Sequence, residues 1–165
     1  MRHAALLLAL FVAGTTNAAP GEDHWGEPSA RGLLYQALAE ARDLVESGDP
    51  ASAVAVLAPL ALEHPQDADV FNLLGYARRN AGDLEGSALA YTRALELDSD
   101  HLGALEYQGE LFLMLGEPEK AQDNLARLTA ICGIGCEERK DLASAIAAFP
   151  SMPVPQDALL SPDRP

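Results

Sequence analysis

Glycine recurs at a fixed interval in this chain: Gly48, Gly82 and Gly116 stand 34 residues apart. Stepping by the same interval from other positions keeps side-chain size in phase. Ala41, Gly75 and Gly109 are all small, as are Ala53, Ser87 and Ala121, while Leu57, Tyr91 and Leu125 are all large and apolar. A repeat of this length is one supersecondary unit that stacks on its neighbours, because alone it leaves an apolar face bare. Within a unit, Val70, Phe71, Leu74, Ala77 and Ala81, then Ala88, Leu89, Ala94 and Leu95, form apolar stripes. Spacings of three and four put such residues on one face of a helix. The pattern predicts helices over 33–47, 51–63, 69–81, 85–97, 103–115 and 119–131. Ser47-Gly48-Asp49-Pro50, Ala81-Gly82-Asp83 and Leu115-Gly116-Glu117-Pro118 join each pair. Pro50 and Pro118 fall at helix starts, where a missing N–H costs nothing.

Composition agrees with packed helices. The 165 residues are 48% hydrophobic but only 5% aromatic, so the core is built mainly from Ala and Leu. That apolar share argues for a folded chain despite a net charge of −14. The same charge argues against nucleic acid as a partner, since binding there needs phosphate-neutralising cations.

The register resembles the tetratricopeptide repeat (TPR): an aromatic, Leu-Gly, a Gly turn, a small residue, an aromatic and a closing Ala. The middle repeat carries it in Phe71, Leu74-Gly75, Gly82, Ser87, Tyr91 and Ala94. Arg78 departs from a usual Tyr, Gln108 from a usual Leu, and Ala37 replaces the leading aromatic of the first repeat. The resemblance runs over residues 34–133 and points to an exported bacterial member of the family. The expected fold is all-α, a right-handed α-solenoid of three TPR-like helix pairs plus a C-terminal capping helix. The cap is predicted over 137–148, with Leu142, Ile146 and Phe149 inward and Glu137, Glu138, Arg139 and Lys140 on its polar side.

The ends read differently. Arg2 and His3 precede the apolar stretch Ala4 to Gly14, and Thr16 and Ala18 sit at −3 and −1 of a cut before Ala19. This stretch is shorter than the roughly 20 residues of a spanning helix, so 1–18 reads as a cleavable signal peptide. The expected location is the periplasm, or outside the cell, with no membrane insertion after cleavage. Residues 19–32 read as a flexible linker, 33–149 as the helical domain and 150–165 as a Pro-rich tail. In an exported protein Cys132 and Cys136, separated by Gly133-Ile134-Gly135, are expected to pair. A loop this short contributes at most about 2 kcal/mol. A thiol-redox or copper-handling role for the same pair is the alternative.

The family resemblance implies a concave groove lined by the first helix of each pair. Carried over position by position, it comprises Tyr35, Leu38, Arg42, Asp69, Asn72, Tyr76, Arg79, Glu106, Glu110 and Leu113. Asn72 and Tyr76 suit an extended peptide, and Arg42 and Arg79 suit its carboxylates. Against this, both arginines have Asp43, Asp69, Glu106 and Glu110 within reach as internal ion-pair partners. The Lys and Asn of a chaperone-type carboxylate clamp are absent; Leu38, Arg42, Leu73, Gly103 and Tyr107 stand there. His101, Glu106 and Glu110 raise the question of a metal, but one His beside solvated acids is a poor ligand set. No nucleophile elbow, phosphate loop or zinc-protease motif is present, so no enzyme and no cofactor are expected. The expected function is a periplasmic scaffold or adaptor that binds another protein's segment in its groove, in envelope protein assembly. Oligomeric state is not legible.

Overall fold

The computed structural model describes residues 29–150; the expected signal peptide, residues 19–28 of the linker and residues 151–165 of the tail lie outside them. Seven helices fill the described span: α1 (Ala30–Glu46), α2 (Pro50–Glu63), α3 (Ala68–Asn80), α4 (Leu84–Leu97), α5 (Leu102–Met114), α6 (Pro118–Cys132) and α7 (Glu137–Ala148). Local chemistry sets their starts. Asp49 and Asp83 cap α2 and α4, each accepting from a backbone N–H three residues on. Gly48, Gly82 and Gly116 take φ of 89°, 84° and 75°, left-handed values that favour Gly, and end α1, α3 and α5. The helix α1 starts at Ala30, capped by Ser29, so the linker predicted to reach residue 32 is already helical at its end.

Each helix packs on the next, and α1–α3, α3–α5 and α5–α7 also touch. Among the described residues α2, α4 and α6 make no such contact with one another. The odd-numbered helices therefore line a continuous inner face and the even-numbered ones splay outward, as in a helical solenoid of repeats. Arg93 and Arg127, one repeat apart, repeat the same tether. Each donates to a carbonyl 28 residues earlier, Pro65 and Ser99 respectively.

The small residues settle two packing questions. A Cβ on Gly75 would lie 2.6 Å from the ring of the fully buried Tyr91, so α4 seats its aromatic directly on the α3 backbone. The Ser87 hydroxyl then donates to the Gly75 carbonyl at 2.8 Å. Gly109 is equally tight: a Cβ there would lie 2.6 Å from both terminal methyls of Leu142, a residue of α7 and so outside its own helix pair. Leu89, expected on the apolar stripe, is 66% exposed, and α4 buries Ala90 and Tyr91 instead. Two of the three departures from the family pattern, Arg78 and Gln108, are explained by hydrogen bonds. Arg78 donates to the Gly86 carbonyl, and Gln108 accepts from the buried Asn124 amide.

Candidate functional site in the inner groove

The side chains that α1, α3, α5 and α7 turn inward divide into two zones. Tyr35, Leu38, Arg42, Asp69, Asn72 and Leu73 surround a cleft of about 270 Å³ between α1 and α3. Asn72 is only 6% exposed, and its amide oxygen has no hydrogen-bond partner among the described residues. An unsatisfied buried amide is costly unless something else completes it. At the edge of this zone Asp69 pairs with His101, whose other ring nitrogen accepts the Ala104 N–H and caps α5. His101 is thus a helix cap, and no set of three ligating side chains near enough to share a metal occurs among the described residues.

The second zone lies between α3, α5 and α7. Tyr76 and Tyr107 stack with ring centroids 5.0 Å apart, and the Arg79 guanidinium sits 5.6 Å and 5.5 Å from their centres. Arg79 also ion-pairs with Glu110, one of the internal partners weighed from sequence. Burial pushes the Tyr107 phenol up first and Glu106 adds to it, while Arg42 pulls it back. Arg42 thereby acts across the groove from α1. Glu106 is 8% exposed, and its carboxyl is pushed up to about 7. Burial is the main cause, followed by Glu110, Asp141 and Glu138, with Arg79 opposing. Leu113 lines a neighbouring cleft with Arg79, Asn80, Glu110, Met114 and Ala145.

The raised Glu106 fixes the sign of a pH effect. Its folded value lies above the ordinary 4.5, so the native state holds the proton more tightly than the unfolded chain. Stability from this group is full below about 4.5 and is lost as pH rises through about 7. Glu106→Gln, which keeps the neutral form, is expected to be neutral at pH 4 and to stabilise by about 3 kcal/mol at pH 8. Urea unfolding at both pH values checks this; equal effects at the two would contradict it.

Cys132 and Cys136 form a disulfide across the α6–α7 connection, with Cα atoms 5.8 Å apart, inside the usual span. They belong to neither groove zone.

The profile of the tetratricopeptide repeat matches residues 38–101 and 79–130, more than half the chain. This chain belongs to the tetratricopeptide repeat family. The TPR solenoid is also similar to solved structures. The Yersinia enterocolitica type III secretion chaperone SycD, in complex with a peptide of the translocator YopD, is 22% identical. The match covers 75% of this chain and 93% of that one, with a TM-score of 0.61. PcrH in complex with the chaperone binding region of PopD is 21% identical over 72% of this chain and 89% of that one, TM-score 0.60. At these identities the likeness is one of fold. No curated protein matches the sequence.

Within this TPR chain, the ten inner positions read from the repeat register all fall on α1, α3 and α5. Three partners of the second zone escaped that reading. From the register alone Tyr107 stands only at a clamp position, Glu138 on the polar side of α7, and Asp141 at no inner position. The signal was available in principle. Inner contacts between repeats join residues 28 to 32 apart, as in Arg79–Tyr107, Arg79–Glu110 and Asp69–His101, not 34. Subtracting that turn from the repeat length carries Tyr76 to Tyr107.

Proposed function

We propose that this protein is a non-catalytic scaffold that holds an extended segment of another protein in its inner groove. The observation that carries the reading is Asn72, buried beside an open cleft with an unpaired amide oxygen, next to the ring platform of Tyr76 and Tyr107. An extended peptide supplies backbone N–H groups for the one and apolar or aromatic side chains for the other. The structural likeness to peptide-bound SycD and PcrH supports a groove of this kind. The proposed setting is the periplasm, with a role in envelope protein assembly; the apolar N-terminal stretch and the Cys132–Cys136 pair support an exported, oxidising location.

Selection of displayed random peptides on the purified chain tests the groove. Selected peptides are expected to bind Tyr107→Ala and Asn72→Ala at least about tenfold more weakly, the scale of losing one interface anchor. Undiminished binding to both variants, with loss instead on Leu89→Asp of the outer face, would overturn the reading.

A further inference from the structure

The two ends of the solenoid are finished differently. At the C-terminal end α7 packs on α5 and α6. At the N-terminal end α1 packs only on α2 and α3 among the described residues, and leaves Leu33 and Tyr35 52% and 57% exposed. A stack of repeats needs a cover at both ends. Where the chain enters α1 there is a cleft of about 320 Å³, lined by Ala30, Arg31, Leu34 and Tyr35 of α1 and by His64 and Asp67 of the α2–α3 turn. Its charged groups are unevenly used. The Asp67 carboxylate already caps α3 by accepting the Asp69 and Val70 N–H groups. The exposed Arg31 guanidinium pairs with no acid among the described residues. A cation and an open ring at the mouth of a cleft suit an aromatic occupant with carboxylates beside it. The chain carries one just upstream. Residues 19–28 read Ala-Pro-Gly-Glu-Asp-His-Trp-Gly-Glu-Pro, with three acids, no Lys or Arg, and the only tryptophan of the protein. Trp25 stands four residues before Ser29, a span of at most about 14 Å of extended chain. Gly26 and Pro28, between them, are residues that turn a chain.

We infer that Trp25 docks in this cleft, against Tyr35 and Arg31, so that the segment before α1 covers the first repeat as α7 covers the last. An indole brings a large apolar surface and an N–H that needs an acceptor when buried, which the His64 ring or the Asp67 carboxylate offers. Glu22, Asp23 and Glu27 flank the ring in sequence and complement Arg31. Tyr35 also lines the α1–α3 cleft with Asn72, so the docked indole borders the N-terminal mouth of the groove.

The single tryptophan makes the test direct. Its fluorescence in the purified protein, with residues 19–28 retained, is expected to peak to the blue of a synthetic peptide of residues 19–29 and to resist acrylamide quenching relative to that peptide. Arg31→Glu and Tyr35→Ser, both at exposed positions, should each shift the peak back toward the peptide's, with helix content by circular dichroism unchanged. Lys140→Glu, which changes an exposed cation of α7, should leave the peak in place. Emission and quenching equal to the peptide's would put Trp25 in water and overturn the docking. Blue emission indifferent to both α1 variants would place the indole elsewhere and overturn the assignment to this cleft. Blue emission lost on dilution would give the cleft to the tryptophan of a second copy and overturn docking within one chain.

Discussion

Gly75→Val is expected to destabilise the protein by more than about 3 kcal/mol, and Gly75→Ala by about 1–2 kcal/mol. Helix propensity alone argues the other way, since Ala in a helix interior is favoured over Gly by about 1 kcal/mol. Packing decides. A Cβ at this position meets three ring atoms of Tyr91 at 2.6, 2.7 and 3.0 Å. The ring has nowhere to go. Tyr91 is fully buried, faces the Tyr107 ring at 6.4 Å, and its helix is tied to the Gly75 carbonyl by Ser87. Valine adds two more carbons into the same volume. Guanidinium unfolding of the two variants checks the ranking, and Tyr91→Leu combined with Gly75→Ala should recover part of the loss. A Gly75→Ala protein as stable as the parent would mean that the α3–α4 seat yields more easily than its geometry implies.

Leu142→Ala should have the second large effect, about 2–5 kcal/mol, but a local one. Leu142 is the one buried residue of α7 and packs with Leu105 and Leu128 above the bare backbone of Gly109. Removing its branch empties that seat, while α7 touches only α5 and α6. Hydrogen exchange is expected to quicken first in α7, then in α5 and α6, with α1 to α3 unchanged. A uniform loss of protection across all seven helices would instead show one cooperative unit. The same variant frees Glu138 and Asp141 from Glu106, so its groove should also lose acidity at the C-terminal end.

Most of the fold was legible because this sequence marks its boundaries with residues that have few alternatives. Gly at a left-handed turn, Asp at a cap and Pro in a first helical turn each allow little else; Gly48, Gly82 and Gly116 recur on every 34-residue step, Asp49 and Asp83 lie one step apart, and Pro50 and Pro118 two. The predicted helices fall within a few residues of the observed ones for that reason. What failed was partner choice. Leu89 obeys helical spacing and still faces solvent, because spacing defines a stripe but not where a neighbour covers it. Gly109 likewise seats a large side chain from outside its own pair, Leu142 of α7, which the repeat register does not announce. The groove suffered from the same gap. A repeat register aligns equivalent residues, but contact joins residues about a turn out of equivalence, so Glu110 stood in the place of Tyr76 while Tyr107 met it. The burial of Glu106 and of the unpaired Asn72 amide oxygen depends on several helices at once, which no single stretch of sequence carries.

The contact pattern between helices has a consequence for how the molecule comes into being. Among the described residues no helix waits for a partner more than two elements further along the chain. A polypeptide emerging N terminus first, from a ribosome or through a narrow pore, can therefore settle each repeat on the last one as it appears. Its exposed growing end is always the bare face of the newest unit, and α7, docked by Leu142, closes that face once it has emerged.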